Sequence, residues 1–441
     1  MAAAHVNRTA VLGGGITGLT LALRLAEAGD AVTVFDAATE LGGNSVAADF
    51  DGFRWDRFYH VVAPQDRSLL GLLGQLGLAD SVHWVPTVAS VWMAGAVHPM
   101  QGPLDLLRLP GMGLLAKLRL GMLALRASAP ATDAELDGTS AADWLTARCG
   151  REAWDRMWRH LLRAKLGDLA PRASARFVHA TLRRLATARR AGGSDRFGFV
   201  DGGYAVVLDR LCAALRTRGV QLRTATRVLE ARHDAAARDV AVVHARGTER
   251  FDRVVCTLPN PHLADVLPDL DHRVAARLRA TPYLGVACTV VTGRTPLAPG
   301  YVTNLCDDRL AVTGILETSR IIGTTRCNGS SLVYLPRYAA ADSAVLDQTD
   351  DQLAGRALVD LRLVYPAAAA AGWLRSVRVH RTRWIQPVPR AGSPPVVPPR
   401  TVVAGRIHCV NHAALPGCVL NNDACIALAN RAAAELLAQP G

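Results

Sequence analysis

Residues 9–44, TAVLGGGITGLTLALRLAEAGDAVTVFDAATELGGN, decide the fold of this chain. Thr9 to Leu12 is a short apolar run suited to a buried parallel strand. Gly13, Gly15 and Gly18 give the spacing G-x-G-x-x-G, and residues 16–28 repeat their apolar positions with a helical period. Gly29-Asp30 is a turn, Ala31 to Phe35 a second strand, and Asp36 closes it. Gly13 allows the tight strand-to-helix turn, Gly15 lets the backbone come close to a pyrophosphate, and Gly18 lets the helix pack closely on the strand. The helix opens at Ile16 and Thr17, where free amides face the phosphate charge. Asp36, followed by Ala37, is placed to accept hydrogen bonds from ribose hydroxyls, and an acid there opposes the 2′-phosphate of NADP. The motif predicts a dinucleotide site and leaves FAD and NAD both open. Leu41-Gly42-Gly43-Asn44 adds a second glycine pair beyond the acid, which a simple NAD domain does not need and a longer cofactor does.

The bulk numbers narrow the classes. At 441 residues, half of them apolar, the chain predicts two domains or one domain with a large insertion. A net charge of +12 raises the question of nucleic acid or an anionic membrane. Among 50 basic residues only Lys117 and Lys165 are lysines, and the arginines are spread along the chain without a basic stripe of interleaved aromatics. Nucleic-acid binding is therefore not expected. Nine cysteines without C-x-x-C or paired histidine spacing argue against zinc and a disulfide framework, so no metal is expected. No secretory leader and no apolar run long enough to span a bilayer is read, and the expectation is a cytoplasmic protein acting on a small molecule, of unassigned oligomeric state.

The nucleotide-domain pattern is interrupted and returns twice. Residues 60–195 read as mostly helical, with helices expected over 66–78, 104–126, 139–148, 151–165 and 174–190. The leucine-rich 104–126 stretch is punctuated by Arg108, Lys117, Arg119 and Arg126; the favoured reading is a half-buried helix of a second domain, with membrane-surface contact as the weaker one. Asp201-Gly202-Gly203-Tyr204 opens a helix through Arg218, followed by a strand at 220–222. A small antiparallel sheet is expected over 226–251 and a buried strand over 254–259. Strands are expected at 287–291, 310–316 and 332–335, a helix at 352–364, a buried strand at 401–404, and a closing helix at 421–437.

Four blocks in order carry a resemblance: VLGGGITGL with Asp36, LGGN at 41–44, DGGYAVVLDRLCAAL running on to RVVCTLP, and VVAGRIHCV running on to NNDACIALANRAAAEL. Together they resemble the FAD-dependent superfamily that includes amine oxidases, protoporphyrinogen oxidase and carotenoid desaturases. The resemblance implies an α/β fold with a discontinuous Rossmann-like FAD-binding domain over 1–60, 196–261 and 396–441. A mixed α+β, helix-rich substrate domain would take 61–195 and 262–395. It implies non-covalent FAD, with Val228 against the adenine, Gly405 and Arg406 near the pyrophosphate and ribityl chain, and Val419 and Leu420 near the flavin ring. Two departures, Asn44 for the usual arginine and Gly405-Arg406 for the usual glycine-acid pair, are similar to UDP-galactopyranose mutase.

The function expected is hydride transfer from a small organic substrate to flavin N5. The alternatives are a redox-neutral, flavin-dependent mutase of a sugar nucleotide and a non-catalytic binding module of the same fold. Three residues are candidates for the chemistry. His60 lies where the resemblance puts the chain beside the flavin and is a candidate base or hydrogen-bond partner. Lys165 is a lysine in a chain that otherwise uses arginine, which suggests a wanted compact charge or titratable amine. Trp384, in RTRWIQPVPR, is a candidate aromatic wall of the substrate pocket. Trp55 and Tyr59 are weaker versions of that idea, and Cys418 is considered for covalent flavin attachment.

Overall fold

Three distant stretches of chain build one sheet. In the computed structural model, which describes residues 6–126, 132–190, 196–393 and 396–438, the strands run in the order Thr401–Val403, Ile407–Cys409, Arg253–Cys256, Arg8–Leu12, Ala31–Phe35, Gln221–Arg223. All pairings are parallel except that of the first, which joins the edge as a hairpin. The inner strands are short β-branched and apolar runs buried on both faces, as a parallel sheet with covered faces demands. One face carries the helices Ile16–Glu27, Gly203–Thr217 and Asn422–Leu437, whose leucines and alanines share a core with Val11, Val34 and Val255. The other face packs against the antiparallel strands Val228–Asp234, Asp239–His244 and Gly247–Phe251.

A second, seven-stranded sheet runs Leu374–Pro387, Tyr283–Gly293, Ser331–Ala340, Gly314–Glu317, Val302–Leu305, Ala89–Met93, Ala96–Pro99. Every residue of Tyr283–Gly293 is buried, because both neighbours pair along almost its whole length. Helix Asp350–Val364, started by a full capping box at Thr349, closes one face through Ala357 and Leu361. The helices between 103 and 190 form a separate core around Trp144, Trp154, Met157, Leu162 and Phe177, which takes in Leu284 and Val388 from the sheet.

Several expected elements are corrected. The 104–126 helix is two helices, Pro103–Arg108 and Leu114–Leu125, separated where Pro110 follows Leu109 and Gly111 has φ +71°. Between the helices expected at 104–126 and 139–148 stands a further one, Asp133–Gly138, with Thr132 as cap. The 151–165 helix is entered through Gly150 at φ +84° and contains a π-helical turn at Trp154–Trp158. The strand expected at 401–404 is not buried. It is the edge strand, and the buried inner one is Ile407–Cys409, which pairs with Arg253–Cys256.

Candidate active site

Two glycine turns meet at the carboxyl edge of the six-stranded sheet. Gly13 N–H donates to Phe35 O (2.8 Å), and Gly42 N–H to Gly14 O (2.7 Å), which locks the second turn on the first. A Cβ on Gly18 would stand 1.9 Å from Gly13 O, so helix and strand approach as closely as glycine alone permits. Gly42 has φ +126°, and a Cβ there would run into Leu208. Space in front of Gly15, by contrast, is open, and a Cβ on Gly43 would come 3.3 Å from the Gly15 Cα. Helix Ile16–Glu27 starts at Gly15 without a side-chain cap and without an acid in its first turn. Its first amides, at Ile16, Thr17 and Gly18, therefore face a space bounded by two glycine turns, an arrangement able to cradle a pyrophosphate. Asp36 stands beside it, accepting N–H from Gly14 (2.7 Å) and Ala38 (2.7 Å). Ala37 is exposed next to it. Thr226 N–H donates to Asp36 O, which brings the small antiparallel sheet, and Val228 at its start, to the same edge. These residues fit a dinucleotide.

Gly405 and Arg406 do not lie at this edge. Because the inner strand is Ile407–Cys409 and runs parallel to Arg253–Cys256, the two residues form the hairpin turn at the opposite, amino end of the sheet. There the Arg406 guanidinium donates to Asp252 O (3.0 Å). The expectation for this pair is overturned. At the carboxyl edge the inner strand runs on into Val410-Asn411, and Asn411 is held in a buried network. Its Nδ2 donates to Leu258 O and Asn260 Oδ1, each at 2.8 Å, and its Oδ1 accepts Ala413 N–H (3.0 Å). Asn260 is itself fully buried. Its amide donates to Thr281 Oγ1 and Val396 O, and its backbone N–H to the Tyr283 hydroxyl.

An aromatic row extends from that network. His412 stacks on Tyr283 (5.6 Å between rings), Tyr283 on Trp384 (5.4 Å), and Trp384 on His262 (4.8 Å), all edge-on. Burial pushes His412 down to about 4, so its ring is neutral, with a buried Nε2 that has no partner among the described residues. Asn44 joins the row by donating from Nδ2 to Trp384 O (3.3 Å). The start of the last helix lies close by. Asn421 caps it by accepting Ala424 N–H (2.9 Å), Asn422 accepts from Ser45 Oγ (3.2 Å) beside the second glycine turn, and Leu420 N–H donates to Gln386 Oε1 (3.3 Å). Val419 packs on the helical core. Cys418 is buried with a thiol pushed up to about 12, and it lines a cleft of about 340 Å³ with Pro282, Val388 and Val396.

His60 packs its ring on Tyr204 (4.8 Å), with Nδ1 3.5 Å from Asp56 Oδ2. Asp56 is buried and accepts the Tyr204 N–H (2.8 Å), so His60 sits over a carboxylate. Trp55 is a core residue against Phe199. Tyr59, next to His60, shares a hydrogen bond with the Tyr338 hydroxyl (2.8 Å). Both phenols are pushed up by burial and stay neutral. Lys165, on helix Arg159–Leu166, keeps an exposed side chain while the protein around it partly strips water from its ammonium. Desolvation first, and the Arg184 charge second, lower its ammonium pKa. Among the described residues no carboxylate pairs with it. Arg184 is neutralised by Asp66 (3.0 Å), which also feels Asp423 in the first turn of the last helix. The lysine is thus linked to the end of the molecule where Val419 to Asn422 lie. Sequence reasoning missed Tyr283, His412, Asn411 and Tyr338; only Asn411, directly after a strand, carried a readable signal.

Known proteins agree with this architecture. The family model described as flavin-containing amine oxidoreductase matches residues 16–420. The coproporphyrinogen III oxidase of Mycobacterium tuberculosis is 29% identical over 409 residues, covering 87% of this chain and 86% of that protein. Among solved structures, putrescine oxidase bound to putrescine superposes with a TM-score of 0.75 at 17% identity, over 99% of this chain and 100% of that one. Reduced UDP-galactopyranose mutase superposes with a TM-score of 0.76 at 16% identity, over 98% of this chain and 96% of that one. With the family's pattern running through nearly all of its length, the chain belongs to the flavin-containing amine oxidoreductases and is a flavin-dependent oxidoreductase.

Proposed function

We propose that this protein binds FAD non-covalently and oxidises a small organic substrate that carries an ionisable N–H or O–H group. Segments 1–60, 196–261 and 396–441 would hold the cofactor, and 61–195 with 262–395 would shape the substrate cavity. Bound FAD would supply an acceptor for the hydride of a substrate C–H bond. Gly13, Gly15, Ile16, Thr17 and Gly18, with Gly42 and Gly43, would carry the pyrophosphate on backbone amides, and Asp36 the ribose. Asn411 rather than Gly405-Arg406 would stand at the ribityl end. The helix dipole behind Val419 and Leu420 would favour negative charge near the ring. That Cys418 is a buried thiol with a raised pKa supports non-covalent binding.

Lys165 carries the proposal for the chemistry. It is an amine whose pKa desolvation lowers, with no carboxylate partner among the described residues, so it gives up its proton below the ordinary lysine range. It would take the proton released as the substrate loses its hydride. The Tyr59–Tyr338 pair and the ring of Trp384 would orient the substrate, and His60, held over Asp56, would be a positioning residue. One of the two departures similar to the mutase, Gly405-Arg406, lies at the far edge of the sheet and gives the mutase reading no support.

The test is anaerobic mixing of the purified protein with amines, porphyrinogens, sugar nucleotides and polyprenyl compounds, without added reductant. Bleaching of the flavin by one class supports the reading. If a sugar nucleotide turns over only after dithionite reduction, with no net electron uptake, the oxidation proposed here is wrong.

A further inference from the structure

The two helices Pro103–Arg108 and Leu114–Leu125 present an apolar face to solvent. Leu104, Leu107, Leu114, Leu115, Leu118, Met122 and Leu125 are exposed, Leu125 by 82%. Only six other large hydrophobic side chains are exposed among the described residues, and these are scattered from Val6 to Leu437. The longer helix also buries Ala116, Leu120 and Leu123 in the helical core. It is therefore apolar around most of its circumference, which a helix facing water on one side has no reason to be.

The charged groups around this face are mostly basic. Arg108, Arg119 and Arg126 are exposed at its margin, and Arg119 and Arg126 follow Leu115 and Met122 along one stripe of the helix. Lys117 spends its ammonium on Leu107 O (2.8 Å), which ties the two helices into one platform. Two acids stand nearby, Asp105 accepting Gln101 N–H (3.0 Å) and Glu152 accepting Gly113 N–H (2.7 Å), and the basic side chains outnumber them. Anionic headgroups would neutralise that excess. At 12 residues the longer helix extends about 18 Å, too short for a hydrocarbon core of about 30 Å. No helix of the described residues is long and apolar enough to cross a membrane.

We propose that this platform seats the protein on the surface of an anionic lipid bilayer, with its leucines in the headgroup–acyl boundary and its arginines among the phosphates. The inner side of the platform shares its core with Leu162, Leu166, Tyr338 and Val419, so the docked face is the outer side of the helical core.

The experiment is co-sedimentation of the full, flavin-loaded chain with phosphatidylcholine vesicles and with vesicles containing phosphatidylglycerol. The protein is expected to pellet with the anionic vesicles, and added salt should release it. The surface variant Leu115→Ser/Leu118→Ser/Leu125→Ser and the charge variant Arg119→Glu/Arg126→Glu should each reduce binding by about tenfold or more, with flavin absorbance retained as the check on folding. Wild-type protein left in the supernatant with both vesicle types overturns the proposal, as do variants that bind undiminished. A dimer in light scattering that the leucine variant dissolves, without vesicle binding, gives the face to a second copy and equally overturns it.

Discussion

The glycine cradle at 13–43 and the helical wall at 159–184 are built by opposite means. The cradle works with backbone: amides, two turns and a packing distance that leaves no room for a methyl group at Gly18. The wall works with long side chains on helices, where Arg163 and Arg184 are held by Asp168 and Asp66 and Lys165 feels the Arg184 charge. Backbone function restricts residue type severely, and side-chain function on a helix restricts it hardly at all. The cradle should therefore fail structurally when changed, and the wall should fail kinetically while the fold survives.

The largest effect should come from Gly18→Ala. A Cβ 1.9 Å from Gly13 O cannot be accommodated without moving the helix off the strand. We expect a stability loss of about 3 kcal/mol and protein purified without flavin, read by thermal melting and absorbance. A variant that stays yellow and melts normally would break the comparison on the cradle side. On the wall, Lys165→Met should leave flavin content and melting unchanged and lower kcat/KM by about 10²-fold or more. In the wild type, kcat/KM should rise with pH as the amine deprotonates, at a pH below the ordinary lysine range because burial disfavours its charged form; that limb should vanish in the variant. Asp36→Ala removes an acceptor of two backbone N–H groups and should weaken FAD binding by about 10- to 100-fold, measured by titration of the flavin-free protein.

Smaller effects sharpen the contrast. His380, His408 and His412 are each pushed down to about 4 by burial. The unfolded chain protonates these residues near 6.5 and the folded protein does not, so the native state loses stability as pH falls from about 6.5 towards 4, and the loss levels off below that. Melting temperature against pH should show this decline, and His408→Gln should make it shallower. The smallest change is Asn44→Ala, which removes one hydrogen bond to Trp384 O and should cost about 1 kcal/mol while leaving the flavin spectrum in place.

The difference between the regions also explains what the sequence made legible. The strand–turn–helix at 9–28 and the second glycine pair were readable because each glycine answers a steric demand that no other residue meets. The same reading went wrong at 401–409. TVV looks more like an interior strand than IHC, yet IHC is interior because His408 is buried in its neutral form, and polarity alone does not reveal a histidine held neutral. That slip moved Gly405-Arg406 to the wrong edge and hid Asn411. The break at Pro110 was present in the sequence, but leucine periodicity masked it. The Tyr59–Tyr338 pair spans 279 positions and depends on how the second sheet seats against the helices, which local pattern does not encode.

The central claim is that the two glycine turns hold FAD by non-covalent contacts alone. Denaturing the purified protein and assaying the supernatant for flavin tests it directly. The account predicts free FAD, equimolar with the chain, and a colourless polypeptide. A preparation that yields no FAD, or one whose flavin stays with the denatured chain, would contradict it.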